Sequence, residues 1–588
     1  MQFEEALQLT GEFGVFQWLL IAYLALFMVP MHAISMAVHV FTLLVPPHWC
    51  RQQELEAALN LTRAEARELG VPREQDGSWS MCTMYDINVT ALTTGRPLNE
   101  SSRGLLPVVP CRTGWHYDHS VIYPTIVSEL DWVCGQSWKA YVSHTVFFGS
   151  MAIGVVFFGA ISDKVGRVPV MVAVYMLAGV GAATSYFCKD IYVFLATRVI
   201  EGGVMLSICT IPFVLALEYM PAKKRMLMAG VFGFAYPLLG ATIPWVAYAL
   251  AHWRLLNAVI LLPCLGGTVV TLYFIPESIR WLLSKGKTDK AKKVLLCVAR
   301  INGKHLKVSA IDSLQPPRQG DSVPSSTAAI FKYPSLRRSF VITLFLRMIA
   351  CLANQAGQLY VATASDDPFV LSSTTNAVDI VGIWVAVPLA DKCGRRATVA
   401  CSCALAGLCY LIAAGLNGMP AALLAALMAG RTMLTIAYDV GSVYAAEIYP
   451  TEIRTQALST RQAIGSVGRI LSSHVVQLAV YSRSLPLFVV GGLSCVSALI
   501  TLPLPETNNQ RLPETFQEAE AMHELPVVPL FPCCVRAKVR RGDVLAMSAA
   551  ATIQADAPHD TERKEHLLSH PAAEHGGVGH AMSGISKL

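Results

Sequence analysis

The run Gly159-Ala160-Ile161-Ser162-Asp163-Lys164-Val165-Gly166-Arg167 places an acid, two bases and a turn-forming glycine between two long apolar stretches. Its core, Asp-Lys-x-Gly-Arg, returns at Asp391-Lys392-Cys393-Gly394-Arg395, 228 positions on. Two more patterns repeat at almost the same displacement: Glu218-x6-Arg225 as Glu447-x6-Arg454, and Pro276-Glu277 as Pro505-Glu506, each 229 positions on. Three matches at nearly one displacement imply an internal duplication. What is duplicated follows from the flanks. The chain has 588 residues, 54% hydrophobic and only 15% charged, against roughly 25% charged in soluble domains. Apolar stretches of about 20 residues, each able to cross a ~30 Å hydrocarbon core, recur along most of its length. They predict twelve spans, at 15–44, 140–161, 168–188, 190–219, 226–250, 254–275, 339–362, 373–390, 397–416, 420–446, 458–481 and 484–504.

Loop charge orients these spans. The basic clusters at Asp163–Arg167, at Lys223-Lys224-Arg225, from Arg280 to Arg338 and at Asp391–Arg396 all follow even-numbered spans, which makes them cytoplasmic along with both termini. The segment preceding the first span is acidic, unlike a cleavable signal peptide. The loop 46–136 then faces outside. It carries the glycosylation acceptors Asn60, Asn88 and Asn99 and four cysteines, Cys50, Cys82, Cys111 and Cys134, so two disulfides are expected, with all three connectivities open. The expected division is a first six-helix half (1–275), a cytoplasmic linker (276–338), a second half (339–505) and a polar tail (506–588). The +6 net charge sits in short loops, which removes the case for nucleic-acid binding.

These motifs resemble the major facilitator superfamily, in the run Gly159–Arg167. They also resemble its organic ion branch, solute carrier family 22, in Pro276-Glu277-Ser278-Ile279-Arg280-Trp281-Leu282-Leu283, Gly114-Trp115-His116-Tyr117-Asp118, Ala446-Glu447-Ile448-Tyr449-Pro450-Thr451 and Leu504-Pro505-Glu506-Thr507. Gln136-Ser137-Trp138-Lys139 and Arg198-Val199-Ile200-Glu201-Gly202 look closer to its brain-type, poorly assigned organic cation transporter branch. The resemblance implies an all-α membrane protein, two six-helix halves and a midplane site exposed to each side in turn. It also implies that Gly159, Asp163, Gly166 and Arg167, with Glu218, Arg225, Glu277 and Arg280, form a gating set, mirrored by Asp391, Gly394, Arg395, Glu447, Arg454 and Glu506. Ion pairs at water-accessible helix ends can form in one state and break in the other. Against the family pattern, Val168 stands where a third base is usual.

Ionisable residues inside spans are expensive and are functional candidates. They are Arg198 and Glu201, three apart on one helix face and able to pair with each other in the gating set, then Arg347, Asp379, Arg431, Asp439 and Arg469. In the resemblance, Asp379 and Asp439 fall where cation carriers keep acids in the eighth and tenth spans. A competing reading has Asp379 neutralise Arg347. Ser466 occupies the position of the family's charge selector, and Arg469, about one turn on, is its candidate substitute. Trp384 and Tyr438, near the acids, offer cation–π faces. Mixed signs predict a carrier of small organic cations or zwitterions, facilitative and driven by membrane potential. A non-transporting receptor on the same fold and an organic anion carrier are the alternatives.

Other signals are weaker. Gly286-Lys287-Thr288 lacks the first glycine of a phosphate loop, no nucleophile–base constellation marks an enzyme, and no cofactor or metal is expected. His32, His39 and His144 lie within spans as candidate proton relays. In the tail, Cys533-Cys534 beside basic residues suits palmitoylation, and Ser586-Lys587-Leu588 suits a PDZ groove. The expected setting is the plasma membrane, with the bilayer and a small organic ion as partners.

Overall fold

The computed structural model describes residues 10–522, apart from 12, 75–78, 88–105, 222–224, 305–326, 365–366, 417–418, 451–452, 509–512 and 514–515. Asn88, Asn99, residues 305–326 of the linker and nearly all of the tail, with its cysteine and carboxyl-terminal motifs, lie outside the described residues.

Among the described residues, twelve apolar helices form the body. The first half comprises α1 (Val15–Thr42), α2 (Trp138–Val165), α3 (Arg167–Tyr186), α4 (Ile191–Tyr219), α5 (Arg225–Leu250) and α6 (Trp253–Phe274). The second comprises α7 (Pro334–Ala364), α8 (Pro368–Cys393), α9 (Arg395–Gly415), α10 (Pro420–Ile448), α11 (Arg454–Gln477) and α12 (Leu485–Thr501). Eleven are long and apolar enough to cross a membrane, and α12 is a shorter apolar helix. Within α1 the segment Leu24–Met28 winds as a π turn. Pro30 lies just beyond it, has no amide hydrogen to give the preceding turn, and so accounts for the local widening.

Small residues let helices inside each half approach closely. A Cβ on Gly154 of α2 would lie 1.8 Å from the Gly203 carbonyl of α4, and one on Gly468 of α11 would lie 2.1 Å from the Met348 carbonyl of α7. In lipid, such backbone proximity is a main source of helix association.

The outer loop is folded, which the fold class drawn from the spans did not include. His48–Cys50 pairs antiparallel with Trp115–Tyr117, and Thr83–Tyr85 with Val108–Pro110. Thr62 caps the helix Arg63–Gly70 through the Glu65 amide, and the Glu65 carboxylate answers back to the Thr62 amide. The disulfides are Cys50–Cys111 and Cys82–Cys134. Asn60 is exposed at the end of the helix Gln53–Leu59, with φ +51°.

Several hydrogen bonds and ring contacts join the halves at the end of the bundle that carries the 46–136 loop. Thr145 of α2 meets His474 of α11 at 3.2 Å, and Trp245 of α5 donates to Ser373 of α8 at 3.0 Å. Phe369 of α8 stacks on Phe41 of α1 (5.4 Å, 1° between planes) and contacts Tyr248 of α5. At the opposite ends of the helices, the repeated loops carry ion pairs to partners in their own half.

Candidate functional site

The duplicated loops build the same device twice. In the first half Arg167 pairs with Asp163 one helical turn away and reaches Glu218 of α4 at 3.5 Å. The Glu277 carboxylate accepts from the Arg167 amide (2.9 Å) and the Val168 amide (3.2 Å), at the N-terminus of α3. In the second half Arg395 pairs with Asp391 at 2.8 Å and reaches Glu447 at 3.5 Å, while Glu506 accepts from the Arg395 and Arg396 amides at 2.8 and 3.1 Å. Gly166 (φ +128°) and Gly394 (φ +91°) make both turns. A Cβ there would collide with the Glu277 and Glu506 carboxylates, at 2.5 and 2.6 Å. Val168 replaces a base without disturbing this, since it contributes its amide. Arg280 adds positive charge beside Glu218, and Arg454 donates to the Tyr449 carbonyl at 3.1 Å. The Arg225 side chain lies outside the described residues. Gly159 has open space where a Cβ would sit, so no close contact requires glycine there.

Arg198 and Glu201 are placed differently from the rest of the gating set. They pair at 2.9 Å near the outer end of α4, buried within the first half, where Arg198 also donates to Ser185 and Asn257. With every described partner in their own half, they brace α3, α4 and α6 rather than the helix ends that carry the repeated loops. His39 and His144 meet at 2.9 Å in the same half.

A cavity of about 200 Å³ lies between the halves, lined by Tyr236 of α5, Asp379 of α8, Arg431, Tyr438 and Asp439 of α10, and Arg469 of α11, among others. Within it Asp379 is neutralised by Arg431 at 2.7 Å and by the Thr435 hydroxyl at 2.8 Å. This corrects the pairing of Asp379 with Arg347. Arg347 instead bonds neutral acceptors, the Tyr438 hydroxyl and Gln462 (both 2.5 Å) and Ser442 (3.1 Å), with its guanidinium 3.9 Å above the Tyr438 ring. It thus holds Tyr438 from behind the cavity wall. Two groups are left over: Oδ2 of Asp439 and Nη1 of Arg469 are buried without a hydrogen-bond partner.

Two candidates sit elsewhere. Trp384 is 71% exposed and shares the outer face of α8 with the exposed Val381 and Val385, while Asp379 and Ile383 face the cavity from another side. Ser466 is fully buried, and its hydroxyl donates to the Gln462 carbonyl one turn back on α11. Arg461, buried in the same helix, was overlooked, although a charge inside the span 458–481 meets the criterion that selected Arg469.

A two-half bundle with an internal polar cavity and duplicated ion clusters in its repeated loops defines a membrane transporter of the major facilitator type. The family model described as sugar (and other) transporter matches residues 119–519, and the chain belongs to that family. The chain is 30% identical to a beta-alanine transporter of Drosophila melanogaster, over 93% of each protein. It is 28% identical to solute carrier family 22 member 6 of Rattus norvegicus, covering 89% of this chain and 95% of that one. It is also 28% identical to organic cation transporter 1 of Caenorhabditis elegans, over 89% of each. The inward-open xylose transporter XylE of E. coli shares the fold, with a TM-score of 0.53 at 15% identity over 86% of this chain and 99% of that one.

Proposed function

We propose that this protein carries small zwitterions across the plasma membrane by alternating access, with Asp439 taking the substrate's ammonium and Arg469 its carboxylate. The observation that carries this reading is that one cavity presents one unsatisfied carboxylate oxygen and one unsatisfied guanidinium nitrogen, while its other two charges cancel each other. Unpaired buried charges are costly, and a ligand bearing both complements would satisfy the two at once. Tyr438 and Tyr236 supply ring faces for the ammonium. The similarity to a beta-alanine transporter, whose name specifies a substrate with both groups, supports the same class. A simple cation would leave Arg469 unmet, and a simple anion would leave Asp439 unmet. In this reading the clusters around Arg167 and Arg395 act as latches whose partners change as the halves rock.

The test is uptake into vesicles clamped at different potentials, comparing labelled β-alanine and betaines with tetraalkylammonium and with monocarboxylates. Uptake of the zwitterions alone, unaffected by potential, is expected. Potential-driven uptake of the simple cation, or uptake of the monocarboxylate alone, replaces this reading with the corresponding one. Ligand binding without accumulation favours a receptor.

A further inference from the structure

The charges buried in the second half do not balance. Among the described residues there, Asp379 is the one buried acid and it cancels Arg431, while Arg347, Arg396 and Arg461 are buried as well; Asp439 is half-buried and lines the larger cavity with Arg469. Arg347 and Arg461 are 5% and 6% exposed, and neither lies within 4 Å of a described carboxylate. Among the described residues, Arg461 gives its guanidinium to the backbone carbonyls of Thr343 (3.4 Å) and Gly441 (3.0 Å), and it feels Arg347 as a like charge. The Nε of Arg347 is buried without a partner. Both side chains line one cavity of about 30 Å³ that Tyr438 also lines, with its other lining residues distinct from those of the larger one. That is room for one or two water-sized bodies.

Two like charges sharing a desolvated space repel strongly, and neutral acceptors do not remove that repulsion. A negative charge between them does. We propose that this cavity binds a monatomic anion of chloride size, held by Arg347 and Arg461. The ion would fix the guanidinium that in turn positions Tyr438. Polyatomic anions such as sulfate and gluconate are too large for the space. The inference concerns a different cavity from the substrate site and does not depend on which substrate that site takes.

The test uses the full chain purified into nanodiscs, without substrate, and follows thermal unfolding at constant ionic strength as gluconate is replaced by chloride or bromide. A saturable rise in Tm with both halides and none with sulfate is expected, and Arg461→Gln should abolish it. Ala437→Leu, which fills the cavity from α10 and leaves both arginines in place, should abolish it too. Identical melting in halide and gluconate overturns the proposal, as does a halide response that survives in both variants. Should Arg461→Gln fail to fold, the cavity-filling variant and the linewidth of chloride NMR on the unmodified protein decide the question, with no excess broadening counting against the site.

Discussion

Asp379 of α8 is closed on Arg431 of α10 at 2.7 Å, whereas Asp439, two turns along the same α10, keeps one carboxylate oxygen free in the same cavity. The two acids therefore differ in what their removal does. On the proposed zwitterion reading, Asp439→Asn removes a charge-assisted contact to substrate, of the order of 1.5–3 kcal/mol, so zwitterion uptake should fall roughly ten- to hundredfold at normal surface expression. Asp379→Asn instead strands Arg431, at a cost of about 3–5 kcal/mol, and should lower the folded amount. Adding Arg431→Gln should restore folding. Quantified surface protein beside initial uptake rates separates the two outcomes, and equal loss of expression in both single variants argues against the distinction.

Gly166 and Gly394 should each resist replacement. An alanine there meets two penalties at once, a backbone conformation at positive φ and a Cβ driven into the glutamate that caps the next helix. Strain of this kind costs about 1–3 kcal/mol. Gly166→Ala and Gly394→Ala should each lower the melting temperature. Gly159→Ala, with open space at its Cβ, should leave it unchanged. A Gly159→Ala variant as damaged as the other two would tie the effect to something other than the turn.

Why some of this was legible from sequence and some was not follows from distance along the chain. The repeated ion-pair clusters were readable because their members recur at one displacement and partly lie within a helical turn, as Asp163 and Arg167 do. The spans were readable because lipid admits few charges. The partner of Asp379 lies 52 residues away on another helix, and nothing in spacing separates Arg431 from Arg347 for that role. The orientation of Trp384 was within reach, since Val381 and Val385 mark an apolar stripe on the same helix face, but its aromatic character drew it toward the acids instead. The helices and strands of the outer loop are each only a few residues long, too short to announce themselves by periodicity.

The outer domain should be sensitive to reduction. Cys50–Cys111 and Cys82–Cys134 close loops whose ends are 61 and 52 residues apart. Losing one such bond typically costs 2–5 kcal/mol. Cys82→Ser with Cys134→Ser should reduce surface expression, and peptide mapping without reduction should recover Cys50 linked to Cys111. Recovery of Cys50 linked to Cys82 would contradict the connectivity.

The same domain should weaken in acid through His48. Burial pushes the His48 imidazole below its ordinary pKa, more than its hydrogen bond with the Pro46 carbonyl and the nearby Asp131 restore. A depressed folded-state value means the stabilising contribution is complete above the unfolded pKa of about 6.5 and is lost as pH falls through the folded value. Hydrogen exchange in the strand pair His48–Cys50 and Trp115–Tyr117, corrected for intrinsic rates, should therefore quicken below about pH 6.5. His48→Gln should flatten that dependence, and an unchanged acid response in the variant would point to another group.

Phe369 should govern how firmly the outside stays shut. It leads α8 of the second half and meets Phe41, Tyr123 and Tyr248 from the first half, at 5.4, 5.8 and 5.6 Å between ring centroids. These contacts cross between the halves, so separating the halves there must break them. Aromatic pairs contribute roughly 0.5–1.5 kcal/mol each beyond area burial. Phe369→Ala should therefore shift the balance toward the outward-facing state by at least about tenfold. Hydrogen exchange resolves the shift: faster exchange at the outer ends of α1, α5 and α8 and slower exchange at the cytoplasmic ends of α2 and α11. If the rings merely pack, exchange should rise around Phe369 with no opposite change at the cytoplasmic ends. That reciprocity distinguishes a seal that reports on alternating access from a local hydrophobic contact.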